Sequence, residues 1–215
     1  MNVERTIGVI LRVRPLTDTS LIVHWLTPDL GRLATVAKGA RRPKSPFRGQ
    51  LDLFYSAEFS FARSSRSELH TLREVKLTDA RAALRTELAW IQQASYAAGL
   101  IEQTTETESP VPALFAQFTQ FLCELMRHPA QPQALFAFEM KLLDESGLRP
   151  NLSESPLTPG SRQALERLAA LDWPAVFRLR LSAAQVREIG PFLHGFLVYH
   201  LGKIPKGRIL EARND

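Results

Sequence analysis

A single change of hydrophobic period, near residue 80, constrains this chain more than any other feature. Before it, apolar residues recur at every second position. Ile7, Val9, Leu11 and Val13 alternate with Gly8, Ile10, Arg12 and Arg14, the pattern of a half-buried strand. Residues 21–26 read as a second strand. Thr27-Pro28-Asp29-Leu30-Gly31 supplies turn chemistry, and residues 32–37 return as a third. Gly39, Pro43, Pro46 and Gly49 mark residues 38–49 as a loop. Residues 51–62 and 68–77 then make two more strands, joined at Ser64-Ser65-Arg66-Ser67. Five short strands in so few residues suit a small closed barrel, because closure removes sticky edges. The OB-fold is the five-stranded candidate, and an SH3-like barrel is the alternative.

After Thr78 the period becomes helical. Asp79 is placed to cap a helix carrying Leu84, Leu88, Ile91 and Ala98, and residues 102–108 read as a polar loop. Ser109-Pro110 opens a second helix with Leu114, Phe115, Phe118, Leu122 and Leu125 on one face, and Pro132 opens a third that stops at Gly147. Residues 151–160 form a Pro- and Ser-rich connection, and 161–171 a short helix. Ser182 with Gln185 forms a capping box, after which Gly190-Pro191 breaks or restarts the helix before residues 192–201. The chain therefore reads as α+β, all-β then all-α: residues 1–80 a nucleic-acid-binding barrel, 81–215 a helical partner-binding domain.

Charge follows the same division. Residues 1–80 hold 13 Lys and Arg against 8 Asp and Glu, whereas the remainder balances at 14 each, so the net charge of +5 belongs to the first segment. Arg32, Lys38, Arg41, Arg42, Lys44 and Arg48 fall between Leu30 and Gln50 with no acid among them. Such a surface attracts polyanions, and counterion release makes nucleic acid the usual partner. Arginine offers phosphate a planar donor fork and lysine a point charge. Trp25 and Phe47 are candidates for stacking bases on an OB-fold surface, the alternative being that both rings fill the core. Lys44-Ser45 is not the end of a phosphate-binding P-loop. That motif needs glycine before the lysine, Pro43 stands there without an N–H, and Gly39 is one residue too close.

Enzymatic constellations are absent from the sequence: no G-x-S-x-G elbow and no H-E-x-x-H occurs. His24, His70, His128, His194 and His200 are scattered. The last two, six apart, share no helical face, and His200 suits a helix C-terminus. The lone Cys123 forms no internal disulfide and reads as a small helical core residue. Lys203, Lys206 and Arg208 form a second basic cluster that either contacts DNA or favours a negative helix end. The phenylalanines at 115, 118, 121, 136 and 138 read mostly as core, with a residual apolar groove as a place for a partner peptide. No apolar run reaches the roughly 18 residues of a membrane span. Met1-Asn2-Val3-Glu4-Arg5-Thr6 lacks the apolar core of a secretory signal, so a cytoplasmic location is expected.

Residues 21–27, Gly31-Arg32-Leu33 and Val36-Ala37-Lys38-Gly39-Ala40-Arg41-Arg42-Pro43-Lys44-Ser45 resemble the N-terminal signature of the RecO family of bacterial recombination mediators. His70-Thr71-Leu72-Arg73-Glu74 fits that family's last barrel strand. Phe138-Glu139-Met140-Lys141-Leu142-Leu143, Gly147-Leu148-Arg149-Pro150-Asn151-Leu152, and His200-Leu201-Gly202 with a basic tail are similar to its helical domain and C-terminus. The resemblance implies an OB-fold and a helical domain without catalytic residues or cofactor. It implies binding to single- and double-stranded DNA and annealing of complementary strands. It also implies partnership with RecR and with the acidic tail of single-stranded DNA-binding protein, which together help load RecA, in the cytoplasm at the nucleoid. Lys38, Arg41 and Arg42 match the family's DNA-contacting loop; Lys44, Arg48 and Arg32 join them on charge. The alternative function is a general OB-fold RNA-binding or interaction module. Many members carry a four-cysteine zinc site after the segment matching 147–152. Residues 151–160 contain neither cysteine nor histidine, so no zinc is expected here.

Overall fold

A computed structural model describes residues 3–208 of the chain; Met1, Asn2 and the tail from Ile209 lie outside it. Strands β1 (Val3–Pro15), β2 (Leu21–Thr27), β3 (Gly31–Ala37), β4 (Ser56–Ala62) and β5 (Leu69–Asp79) close into a barrel of order β1-β2-β3-β5-β4. All pairings are antiparallel except β3 with β5. This is an OB-fold barrel, as the strand periods predict. Its core gathers Ile10, Val23, Trp25, Leu33, Phe59, Phe61 and Leu72.

Residues 51–55, read from sequence as the start of a strand, are not one. Phe54 adopts a left-handed φ of 64° and buries its ring. Its N–H donates to the Ile10 carbonyl (2.8 Å), and the Ile10 N–H to the Tyr55 carbonyl (2.9 Å), beside the bulge in β1 between Ile10 and Arg12. Asp79 likewise caps no helix. It ends β5 and accepts the Arg81 N–H at 2.8 Å.

The helices are α1 (Leu88–Thr104), α2 (Pro112–Leu125), α3 (Pro132–Glu145), α4 (Pro159–Ala170), α5 (Trp173–Arg178) and α6 (Ala183–Leu201). Helix α5 has no counterpart in the sequence reading, although Asp172 caps it by accepting the Ala175 N–H at 2.8 Å. The Ser182–Gln185 capping box is present in both directions. Pro191 does not break α6. The helix runs through it, and Gly190, having no Cβ, relieves one of proline's clashes, that with the residue before it; the lost N–H donor and the crowding of the Arg187 carbonyl remain.

The residues divide into two compact units. One runs to Ala82 and includes Thr105–Phe115; the other holds Ala83–Thr104 and the chain from Ala116 onward. In the helical unit α3 is central, with every residue from Gln133 to Leu143 buried. A helix apolar on one side would not tolerate that, so its polar residues are satisfied inside. Glu139 accepts from the Tyr96 hydroxyl (2.7 Å) and from Arg208 Nε and Nη2 (2.6 and 2.8 Å). Lys141 Nζ donates to the Ala169 and Leu171 carbonyls at the end of α4 (2.9 and 2.7 Å). Arg208, read from sequence as a DNA contact or a helix-end charge, is neither: it is a buried counter-ion. Lys203 and Lys206 remain exposed.

The connection 151–160 is ordered by burial of Leu152 and Leu157. Glu188 reinforces it, accepting from the Thr158 and Ser161 hydroxyls (2.8 and 2.5 Å) and from the Thr158 N–H. These bonds, led by Ser161, hold the Glu188 carboxyl below its ordinary range. Residues 151–160 offer no cysteine or histidine, so the donors here do not suit zinc.

Candidate nucleic-acid interface

The turn between β1 and β2 and the loop after β3 meet at one end of the barrel, because Leu21 pairs with both Pro15 and Ala37. Loop 38–50 is a chain of tight turns rather than an irregular excursion. The N–H groups of Arg42, Ser45, Arg48 and Gln50 donate to the carbonyls of Gly39, Arg42, Ser45 and Phe47 at 3.0–3.2 Å. The Arg41 N–H and its Nη1 tie the loop to the β1–β2 turn, donating to the Thr19 and Thr17 carbonyls (3.0 and 3.2 Å). Phe47, only 7 % exposed, pins the far side into the barrel core. A cleft of about 460 Å³ opens between the two segments, lined by Thr17, Ser20, Val36, Lys38 and Arg42.

Lys38, Arg41, Arg42, Lys44 and Arg48 are all exposed along this loop. Among the described residues no carboxylate forms an ion pair with any of them. Their charge therefore faces solvent uncompensated, on a backbone held by turns. Arg14, an exposed residue of β1, extends this surface. It pairs across from Ile22, and Ile22 pairs in turn with Val36 beside the cleft; Arg12, half-buried, pairs across from His24. The outward phase of Arg14 is visible in the sequence alternation of β1, but its alignment with the loop is a matter of register.

The remaining sequence candidates are elsewhere. Arg32 lies at the opposite end of β3, where Nε donates to Thr105 Oγ1 (2.7 Å) and Nη2 to the Thr105 carbonyl (2.5 Å). Trp25 and Phe47 belong to the core, not to a stacking surface. Trp25 is fully buried, stacks on Phe59 at 4.0 Å and donates Nε1 to Thr35 Oγ1 at 2.9 Å.

Residues 105–109 form a strap over the seam where β3 leaves β5. Thr107 bridges to Arg32, and the Glu108 N–H donates to the Arg32 carbonyl at 2.8 Å. Gly31 permits this approach: its φ is +66°, and a Cβ there would lie 1.8 Å from the Ser109 carbonyl oxygen. Glu108 reaches Arg63 Nη1 and buried His70 Nε2, both at 2.5 Å, while Arg63 also grips Glu4 at 2.6 and 3.0 Å. His70 Nδ1 accepts the Ser64 N–H, so Nε2 carries the proton shared with Glu108. Hydrogen bonding from Arg63 lowers the Glu4 carboxyl below its usual range. Burial pushes Glu108 up, but His70 and Arg63 outweigh it and the net direction is down.

Two family models match the chain, "Recombination protein O N terminal" over residues 1–81 and "Recombination protein O C terminal" over residues 88–158. The chain is 30 % identical to the DNA repair protein RecO of Anaeromyxobacter sp. (strain K), the match covering 91 % of each chain. It is 29 % identical to that of Anaeromyxobacter dehalogenans (strain 2CP-C), again over 91 % of each. It is 34 % identical to that of Burkholderia pseudomallei (strain 1710b), over 68 % of this chain and 52 % of that one. An OB-fold barrel, a following set of helices and homology along both make this chain a member of the RecO family of DNA repair proteins.

Proposed function

We propose that this chain is a non-enzymatic mediator of recombinational repair. It binds single- and double-stranded DNA through the basic loop of its barrel and anneals complementary strands. It helps load RecA onto gaps coated with single-stranded DNA-binding protein, with RecR and the acidic tail of that coating protein as its partners. The tail docks on the helical domain, which we assign to residues 81–215 apart from the Thr105–Phe115 strap, and the protein works in the cytoplasm at the nucleoid. Lys38, Arg41, Arg42, Lys44 and Arg48 carry the phosphates.

The observation that supports this most is the loop itself: five exposed cations on a turn-locked backbone, flanking an outer barrel face that adds Arg14. OB-folds bind oligonucleotides across the face of their second and third strands and the loops beside it, and this loop borders that face. Phosphate contacts of this kind are sequence-independent, which suits a protein that must act on any gap.

The test is annealing of two complementary strands coated with single-stranded DNA-binding protein, followed by fluorescence energy transfer between end labels. Wild type anneals them, and Lys38→Ala/Arg41→Ala/Arg42→Ala does so at least about tenfold more slowly. A wild-type protein that neither binds nor anneals DNA sinks the proposal.

A further inference from the structure

One side of α6 carries an aromatic row, with Phe192 and Phe196 half-buried and Tyr199 and His200 exposed. Phe192, Phe196, Tyr199 and His200 follow at helical spacing, so they share one side. The rings form a ladder: Phe192 to Phe196 at 6.3 Å, Phe196 to His200 at 4.4 Å, and His200 to Tyr199 at 5.0 Å, edge to face. The buried side of the helix is a different set, Ile189, Gly190, Leu193 and Leu197. Tyr199 is 84 % exposed, the most exposed of the large hydrophobic side chains among the described residues.

Charge and shape narrow what this row receives. Lys203 and Lys206 follow it, both exposed. Glu188 is the lone acid from residue 183 to 208, and it is turned to Thr158 and Ser161. Gly195 sits between Phe192 and Tyr199 in the helix interior, where glycine weakens a helix relative to alanine. No contact within the chain requires it: a Cβ there meets nothing within 4 Å, and its φ is not left-handed. Gly195 therefore leaves a shallow gap in the side-chain cover one turn before Tyr199. A convex row of rings with a notch and flanking cations suits planar groups on a phosphate chain. Bases stack on such rings whatever their sequence, whereas an anchoring peptide side chain needs a concave pocket.

We propose that this face of α6 is a second nucleic-acid site, in which Tyr199 and Phe196 stack bases of an unpaired strand over the Gly195 notch and Lys203 and Lys206 hold its phosphates. It goes beyond the loop reading and fails separately from it.

The experiment uses the full chain in the Lys38→Ala/Arg41→Ala/Arg42→Ala background, with a labelled oligo(dT) of about 15 nucleotides followed by anisotropy at low salt. The background protein still binds the oligonucleotide, and Tyr199→Ala weakens that binding by about tenfold. Lys203→Ala/Lys206→Ala lowers the salt slope by about 1.4. Gly195→Ala is the discriminating variant: it raises the Tm by strengthening the helix, yet weakens oligonucleotide binding several-fold by filling the notch. An iodouracil-substituted oligonucleotide crosslinks to Tyr199 on irradiation. Unchanged oligo(dT) affinity in both Tyr199→Ala and Gly195→Ala overturns the proposal, as does a background protein that no longer binds while wild type does. It is equally overturned if these variants lose affinity for an acidic aromatic peptide and keep it for oligo(dT). If wild type itself binds no oligonucleotide, the loop reading falls as well.

Discussion

Neutralising the barrel loop while sparing Arg32 separates cations that hold phosphate from cations that hold the fold. Lys38, Arg41, Arg42, Lys44 and Arg48 are exposed without acidic partners, whereas the Arg32 guanidinium is engaged by Thr105 through two short bonds. Each phosphate contact on a single strand adds about 0.7 to the slope of log Kd against log salt. Lys38→Ala/Arg41→Ala/Arg42→Ala therefore reduces that slope by about 2. Across a fourfold rise in salt, the variant is spared roughly 20-fold of the affinity that wild type loses. Arg32→Ala leaves the slope within about 0.2 of wild type and instead destabilises the barrel by about 2 kcal/mol, the worth of hydrogen bonds from a charged group. Anisotropy titrations of one labelled oligonucleotide at four salt concentrations, paired with a thermal melt of each variant, read both quantities. If Arg32→Ala lowers the slope as much as one loop cation does, or the triple variant keeps the wild-type slope, the partition is wrong.

The strap makes a sharper demand on Gly31 than on any loop glycine. Gly31→Ala meets Ser109 at 1.8 Å and costs more than about 3 kcal/mol, whereas Gly49→Ala, also left-handed but open, costs only the roughly 1–2 kcal/mol of its backbone conformation; paired thermal melts compare them. Arg208→Met strands the fully buried Glu139 and destabilises the helical unit by about 3–5 kcal/mol; adding Glu139→Gln recovers much of that in urea denaturation. The Glu4 and Glu108 carboxyls lie below their ordinary range when folded. Their contribution is therefore complete above the unfolded value of about 4.3 and is lost as pH falls through the lower folded values. Arg63→Met flattens that acid limb of a Tm-against-pH curve; an unaltered limb would show that Arg63 does not set it.

The barrel was legible from its run of short apolar segments and the turn residues between them; a clean two-residue burial period holds in β3, from Gly31 to Ala37, but not in β1, where Ile7 is exposed and Gly8 to Leu11 are all buried. The exception is residues 51–55, whose alternation imitates a strand. There Phe54 turns left-handed to seat its ring beside the bulge of β1, a choice made by a partner more than 40 residues away. The loop cations could be read directly, since exposure needs no partner. Arg32 and Arg208 could not, because each role depends on an acceptor supplied by distant chain, Thr105 and Glu139. Pro191 misled for a local reason. Part of proline's cost is its clash with the Cβ of the preceding residue, and Gly190 lacks one.

The strap also bears on how the protein is made. Its barrel unit is discontinuous, completed by Thr105–Phe115 only after the whole of α1 has been laid down. A nascent chain paused shortly after β5 holds all five strands but has an open seam at β3, with Arg32 and His70 facing no Thr105 or Glu108. Translation through roughly residue 115 is thus a checkpoint for the N-terminal part, and a gene fragment cut at the end of the last strand encodes an incomplete fold. Any excised barrel intended for separate study needs the strap restored, for instance by a short linker replacing α1.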